Sequence, residues 1–564
     1  MAGGGRPRVG TLSMSVAPTE IVASDLHGLS IAEASELIRR KALSPVELTQ
    51  ALLDRAETLD PKVNAYILAT PEVALDQARQ AEREIMAGNR RGALHGIPYG
   101  AKDVFATAGI AMTGHSKAYV DMLPQSDATA IARLAHAGAV LLGKLSTHEC
   151  AHGGPSFDLP WPPARNPWDL ARFSGGSSSG SAVGVAAGLM PAALGTDTGG
   201  SIRTPAALCG TVGLKPTYGL VSRYGVMPNS FTYDHVGPLT WTVEDCAIVL
   251  QTLAGYDEND PASASRPIPD YRAALSGNIK DLRIGVLRHL HEVDVPVPAV
   301  SRAALEEAYG VLRSLGAMSE DAAIRPAQDY YDVKITIAES ELYAVHEPKL
   351  RANASDFGED FLGRTLGAVL IRASDYVQAQ RERRRMLMEV AELYAKYDVL
   401  IAAGPAPAPL LESWRTLDFW QKPNLTTPFN VTGGPALMQC IGFSPEGLPL
   451  SMQVVGKPFD ETSVLRVADA YERATSWRWR RPRLDRSTIV PPLPGIPAPA
   501  SADIPQARRE EIAAICERAG LVLSERQFEQ LCATAPYIDA MVGRLHRQRP
   551  LADEPMNVFQ FPDR

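Results

Sequence analysis

Cysteine is scarce in this sequence, and its six cysteines lie far apart with no C-x-x-C pair. This spacing argues against a disulfide framework or a zinc site and favours reduced, mostly buried thiols. An excess of basic residues is also missing, since 56 Lys and Arg are outnumbered by 64 Asp and Glu, for a net charge of −8. That balance argues against nucleic acid or an anionic membrane as a partner.

Long apolar runs are missing as well. The longest, residues 182–194, contains glycine and falls short of the roughly 20 residues that span a bilayer. The basic N-terminal segment has no apolar core of the kind that signal peptides carry. We therefore expect a cytoplasmic protein with no membrane partner. Its 45% hydrophobic and 21% charged residues are typical of a globular protein with a sizeable core.

Helix and strand patterns alternate from the start of the chain. Ser30-x-x-Glu33 and Ser44-x-x-Glu47 are capping-box patterns, and each opens an amphipathic run. Further along, the patterns predict a strand over 63–70, a helix over 127–138 and a strand over 139–144. Strands separated by helices indicate the α/β class, with a mixed or parallel sheet covered by helices on both faces.

A proline-rich stretch, residues 487–505, marks the clearest boundary, because it cannot continue a helix or a sheet. We expect a flexible tail over 1–24, a catalytic domain over 25–486 and an extended linker over 487–505. Residues 506–564 are predicted to form a small helical extension, in which Ser524-x-x-Gln527 would cap the second of two helices. The extension is too small for assured stability alone, so it should dock on the main domain or on a partner subunit.

The most informative segment is the glycine- and serine-rich stretch 173–216. Its simplest interpretation is a flexible linker. Gly180, Gly184 and Gly188 recur every four residues, however, and would share one face of a buried helix that lets another backbone approach closely. A second glycine-rich turn, 195–201, follows this helix. The linker interpretation therefore fails.

This second turn could bind an anion through consecutive backbone N–H groups. The N–H groups belong to Thr198, Gly199, Gly200 and Ser201. A phosphate loop needs a lysine followed by Ser or Thr, and no lysine occurs between Lys144 and Lys215. An oxyanion is the better fit, since Ser201 supplies a nucleophile in the same turn.

Two other catalytic patterns are disfavoured. Gly176-Ser-Ser-Ser-Gly180 fits G-x-S-x-G formally, with Ser178 as nucleophile, but the preceding residues resemble a loop where a strand is required. His148-Glu149-Cys150-Ala151-His152 fits H-E-x-x-H formally, but Gly-Gly-Pro follows it directly and no third ligand stands nearby. We expect no metal and no other cofactor.

Residues 173–216 resemble the signature of the amidase signature family, in the motifs GGSSSGSA and GTDTGGSIRTPAALCGTVGLKP. HGIPYGAKDVFAT (95–107), RNPWD (165–169), DHVGPLTWTVEDC (234–246) and TPFNVTGGPAL (427–437) are similar to further blocks of that family. The resemblance covers about residues 25–485 and implies the amidase signature fold, a large mixed sheet covered by helices. Residues 506–564 resemble the small C subunit of tRNA-dependent amidotransferases.

The resemblance also implies roles for individual residues. The nucleophile corresponds to Ser201, the bridging serine to Ser177 and the catalytic lysine to Lys102. The oxyanion would be held by the turn amides of Thr198, Gly199 and Gly200, together with that of Ser201. Ser178, Asp197 and Arg203 would brace the site, and the substrate pocket would include Cys150, Ala151 and His152. Ser174 and Ser179 depart from the family pattern without removing a reacting group.

The chemistry implied is hydrolysis of an amide through an acyl-enzyme with a Ser-Ser-Lys triad. We expect a small carboxamide, anilide or carbamate as substrate, no nucleic acid, and a monomer or a homodimer. The alternative is the glutaminase (A) subunit of a tRNA-dependent amidotransferase, which the C-terminal resemblance favours. A scaffold without catalytic activity is disfavoured because all three reacting residues are present.

Overall fold

The computed structural model describes residues 23–498, 503–550 and 552–555. Most of the tail expected over 1–24 therefore lies outside the described residues, as do 499–502 of the linker and most of the last residues of the C-terminal extension. Within the described ranges, no helix combines the length and the apolar composition needed to cross a membrane.

Eleven strands of the described chain form one sheet. They are β1 (Tyr66–Ala69), β2 (Pro98–Lys102), β3 (Val140–Leu145), β4 (Ala192–Asp197), β5 (Val212–Lys215), β6 (His235–Thr240), β7 (Arg283–Val286), β8 (Met318–Asp321), β9 (Val399–Ala403), β10 (Ala436–Phe443) and β11 (Pro449–Gly456). Their order in space is β1-β3-β2-β4-β6-β5-β10-β11-β9-β7-β8.

The helices pack around this sheet. They are α1 (Ile31–Arg39), α2 (Pro45–Val63), α3 (Pro71–Met86), α4 (Thr129–His136), α5 (Ser179–Ala186), α6 (Arg203–Cys209), α7 (Val243–Leu253), α8 (Ala299–Ser314), α9 (Ala327–Asn353), α10 (Glu359–Thr365), α11 (Ala373–Lys396), α12 (Asp418–Gln421), α13 (Thr427–Val431), α14 (Glu461–Ala474), α15 (Gln506–Arg518) and α16 (Glu525–Arg544). Short 3-10 and π turns connect some of them.

The sheet is mixed, which confirms the predicted fold class. Strand β2 pairs in parallel with β3 and β4, and β7 pairs in parallel with β8 and β9, while the strands between these groups pair antiparallel. Every residue of β2, β3, β4, β6 and β11 is buried. Because successive side chains of a strand point to opposite faces, this burial means that helices and loops cover both faces.

The predicted helix starts are confirmed. Ser30, Ser44 and Ser524 each cap a helix with the reciprocal side-chain bonds of a capping box. The predicted strand over 63–70 is confirmed as the shorter, partly exposed edge strand β1. These features depend on local backbone hydrogen bonding, which a short stretch of sequence specifies by itself.

The sequence predicted that three glycines in the region of α5 let another backbone approach the helix closely. The structure confirms this for part of the helix. A Cβ on Gly180 would lie 2.2 Å from the carbonyl O of Ala65 and 2.6 Å from the N of Ser146, so only glycine fits there. Gly184 faces the side chain of Met190. The prediction is wrong for Gly188, which follows the helix and has a φ of +70° that ends it.

Helices α15 and α16 pack against the main body on the side of α9 and α10. Arg544 Nε donates to Asp332 Oδ2 at 2.7 Å, and Arg526 Nη2 donates to Glu359 Oε2 at 2.6 Å. Ile538 is fully buried in a cluster that includes Tyr331, Ile335, Trp420 and Met541. The division of the chain into the predicted domains stays a prediction.

Candidate active site

Lys102 is the last residue of β2, and its amine lies at the centre of the site. The side chain has no exposed surface. Its Nζ lies 2.7 Å from Ser177 Oγ and 2.7 Å from Thr196 Oγ1. Because β2 and β4 run parallel with Ala101 opposite Leu194, the end of one strand comes level with the end of the other. This pairing brings Lys102 to Thr196, a contact that the sequence analysis missed.

Burial lowers the pKa of Lys102 from its usual 10.5 to about 7, because a charged amine loses its hydration in the interior. The negative charges of Asp234 and Asp197 act in the opposite direction and do not compensate. A large fraction of this lysine is therefore uncharged at neutral pH. An uncharged amine beside a hydroxyl group can accept its proton.

The serines meet where α5 approaches the glycine-rich turn. Ser177 follows a cis peptide bond to Gly176 and is almost fully buried. The N–H of the next residue, Ser178, donates to the carbonyl O of Ser201 at 3.1 Å. The Ser178 hydroxyl donates to the carbonyl O of Thr196 at 3.1 Å and accepts from its N–H. These bonds fasten the serine segment to both β4 and the turn.

Asp197 organises the turn that ends in Ser201. Its carboxylate accepts from the N–H of Gly200 at 2.8 Å and from that of Ile202 at 3.1 Å. Arg203 donates to it through Nε and Nη2, both at 3.0 Å, and neither side chain is exposed. Burial acts to raise the pKa of Asp197, but the charge and hydrogen bonds of Arg203 outweigh it and hold the pKa well below the usual value.

The hydrogen bonds of Asp197 limit which of the predicted turn amides are available to bind an anion. The N–H of Gly200 is already engaged by Asp197. A φ of +129°, together with a Cβ position only 2.2 Å from Thr426 Oγ1, requires glycine there. Thr198 donates through its hydroxyl to Asp234, which also accepts from the N–H groups of Asn229 and Ser230. The structure thus brings all the predicted turn residues together, but the N–H of Gly200 is used in a hydrogen bond within the turn.

A cavity of about 240 Å³ opens beside Ser201 and the turn. Of the three residues expected in a substrate pocket, Ala151 and His152 line this cavity, whereas Cys150 is fully buried and does not line it. Residues 150 and 151 both have positive φ, at 50° and 61°, and this local backbone conformation accompanies the different placement of the two side chains. The His152 Nε2 lies 3.1 Å from the buried Glu339 Oε2.

Other residues of the cavity come from a region that sequence analysis could not interpret. Its aromatic and cationic lining consists of Phe173, Tyr331, Lys334, Arg364, Trp414 and Phe419. All but Phe173 lie between 310 and 425, where no recognisable motif signals a role. Thr196 and Asp234, in contrast, lie inside motifs already quoted. No group of three or more His, Cys, Asp or Glu able to hold a metal ion occurs among the residues that the structure describes.

The fold and the site define a class of protein, an amide hydrolase with a buried amine and paired serines. The family model described as "Amidase" matches residues 47–465. The chain therefore belongs to the amidase signature family, and it is an amidase that acts on the C–N bonds of amides. The match ends before the proline-rich stretch, so α15 and α16 lie beyond it.

Among curated proteins, a relative from Geobacter metallireducens is 39% identical over 485 residues, which cover 81% of this chain and 99% of the relative. It is named as the A subunit of glutamyl-tRNA(Gln) amidotransferase. The solved structure of the A subunit from Thermotoga maritima is 32% identical, with a TM-score of 0.67, and the match covers 80% of this chain and 95% of that one. The peptide amidase from Stenotrophomonas maltophilia is also 32% identical, with a TM-score of 0.71, over 80% and 98%.

These relatives correct one expectation. We had expected a small amide or carbamate as the partner and no nucleic acid. This expectation was wrong, because the curated relatives are named as one subunit of a glutamyl-tRNA(Gln) amidotransferase. The net charge misled here for a physical reason. It averages over the whole surface and says nothing about local patches or about partners that another subunit recruits.

Proposed function

We propose that this chain is the amide-hydrolysing subunit of a tRNA-dependent amidotransferase and releases ammonia from glutamine. The observation that carries the proposal is the buried Lys102 amine, 2.7 Å from the Ser177 hydroxyl, in a chain similar to amidotransferase subunits over nearly their whole length. These relatives favour the glutaminase over the small carboxamide, anilide or carbamate hydrolase that was the first expectation.

The first step we propose is the attack of Ser201 on the carboxamide carbon. Uncharged Lys102 takes the proton of Ser177 while Ser177 takes that of Ser201. The new C–O bond forms as the carbonyl π electrons move to oxygen, and the resulting oxyanion is held by turn amides. Because the N–H of Gly200 is engaged by Asp197, we assign the oxyanion to the amides of Thr198, Gly199 and Ser201.

The second step reverses the proton path. The Lys102 ammonium returns its proton through Ser177 to the departing nitrogen, the C–N bond breaks, and ammonia leaves. Water then attacks the acyl-enzyme, with Lys102 and Ser177 again taking a proton, and glutamate is released. The sum is glutamine plus water giving glutamate plus ammonia, with no oxidant, reductant or cofactor required.

The test is ammonia release from glutamine by the purified full-length chain, alone and with the other subunits of an amidotransferase and charged glutamyl-tRNA. We expect Ser201-dependent release that the partners and the tRNA increase. Ser201→Ala is the matched control, since it removes one hydroxyl group. Turnover of anilides or aryl carbamates with none of glutamine, under either condition, would contradict the proposal.

We also propose that the C-terminal extension, 506–564, replaces a separate C subunit by supporting the wall of the cavity. Ile538 on α16 packs in one cluster with Tyr331 and Ile335, which both line the cavity. Ile538→Asp should lower both the melting temperature and the glutaminase rate, because it buries an unpaired charge. Val522→Asp, at an 84% exposed position of the same extension, is the matched control. Equal behaviour of the two variants would contradict this role.

A further inference from the structure

Lys334 is a buried cation of the cavity that the proposed mechanism does not use. It lies on α9, and only 6% of its surface is exposed. Its Nζ lies 6.0 Å from the centroid of the Phe419 ring. Throughout the described ranges, no hydrogen bond and no ion pair within 4 Å involves this ammonium. A buried cation without an anionic partner is costly, so its presence beside the predicted reactive site indicates an anionic group that arrives with the substrate.

The other cation of the cavity differs in this respect. Arg364 donates through Nε to Asp360 Oδ2 at 3.1 Å, and both side chains are buried. Its guanidinium also stacks over Phe419, 4.3 Å from the ring centroid. Arg364 therefore has an ion-pair partner within the protein, whereas Lys334 has none within 4 Å among the described residues.

Protein carboxylates do not take the place of that partner. Among the described residues that line the cavity, none is Asp or Glu. Glu339, on the same helix as Lys334, contacts His152 at 3.1 Å. Burial lowers the pKa of Lys334, against the opposing charge of Glu339. A carboxylate brought in by the substrate would favour the charged form of Lys334 and bind to it.

The position of the ammonium limits the size of such a substrate. A Cβ on Gly199 would lie 3.4 Å from Lys334 Nζ, so the ammonium reaches the turn that ends in Ser201. A carboxylate on Lys334 and an amide carbon at Ser201 must therefore be separated by a short chain.

We propose that Lys334 binds a carboxylate of the substrate and so restricts it to the ω-amides of short dicarboxylates. This inference rests on the proposed function and names its substrate class, to which glutamine belongs. The recognised group is the carboxylate, since no acidic side chain of the described lining is available for an amino group. Glutaramate, which is glutamine without its amino group, should therefore be accepted.

Two matched substrates test this assignment by kinetics. Glutaramate and pentanamide have the same chain, with a carboxylate in one where the other has a methyl group. Lys334→Met should lower the ratio of their kcat/KM values about 10- to 100-fold, the range expected for loss of a charge-assisted hydrogen bond. The loss should lie mainly in the KM for glutaramate, and Lys334→Arg should restore part of it. Lys349→Met, on the exposed side of the same helix, is the control.

A binding experiment separates this inference from the proposed function. Calorimetry with glutaramate would compare Ser201→Ala protein, which cannot form the acyl-enzyme, with the same protein carrying Lys334→Met. We expect the Kd to rise at least tenfold. If the wild-type chain released no ammonia from any amide, the proposed function would fail, and this comparison would still decide on Lys334. An unchanged Kd, or an equal kinetic loss for pentanamide, would overturn the inference.

Discussion

Lowering the pH through 7 should switch hydrolysis off, because the proposed base, Lys102, must be uncharged to accept a proton. Burial lowers the pKa of this lysine from 10.5 to about 7, because the charged amine loses its hydration in the interior. The uncharged fraction is then about half at pH 7, about a tenth at pH 6 and about a hundredth at pH 5. We expect kcat/KM to fall about tenfold per pH unit below 7 and to level off above it.

The charged groups near Lys102 allow a second test, in which the direction of the change in its pKa is predicted. Asp234 and Asp197 both raise its pKa, and His148 stays uncharged because burial lowers its own pKa to about 3. Asp234→Asn keeps an acceptor oxygen but removes a negative charge, so the pKa of Lys102 should fall and the acid limb should move to lower pH.

The assay is ammonia release between pH 5 and 9 under kcat/KM conditions, for the wild type and for Asp234→Asn. Thermal unfolding at each pH would show whether the protein remains folded over this range. Full activity at pH 5 would refute the role of Lys102 as an uncharged base. So would an acid limb of the pH–rate profile that lies at higher pH in Asp234→Asn than in the wild type.

Four further substitutions have clear expectations. Ser201→Ala should abolish both turnover and labelling by a fluorophosphonate probe, and residual labelling at another serine would contradict the assignment. Arg203→Met should lower the free energy of unfolding by about 3–5 kcal/mol, measured by denaturant titration, because it leaves the buried Asp197 carboxylate without its cation. Gly180→Ala should prevent stable folding, since its Cβ would meet backbone atoms, whereas Gly310→Ala in α8 has open space and should stabilise the helix by up to about 1 kcal/mol. Equal melting temperatures for the two alanine variants would show that the close approach at Gly180 does not matter.

The sequence was informative where a function depends on residues that are close along the chain. The turn 195–201 contains the proposed nucleophile Ser201, its glycines and Asp197 within seven positions, so the motif itself predicts an anion-binding turn. The helix caps at Ser30 and Ser44 are local in the same way. The proposed triad residues Lys102 and Ser177 were predicted from motifs of the family, and their spacing alone would not have paired them.

Contacts between distant segments were beyond the sequence. Thr196 reaches Lys102 only because β2 and β4 pair in a particular register. Ala151 and His152 line the cavity while Cys150 does not, and residues 150 and 151 both have a left-handed backbone conformation. Neither the register nor the sign of φ at a residue other than glycine can be deduced from residue type with a simple rule.

The amino-acid sequence by itself determined the class of fold, the helix starts and the glycine-rich turn that contains Ser201, and it predicted the reacting groups. Only the tertiary structure decided which side chains line the cavity beside that turn, since Lys334 and Arg364 come from two helices more than 130 residues beyond it. A catalytic turn is specified by neighbouring residues, whereas a cavity wall is specified by how distant helices pack, and packing has no short-range signature in the chain.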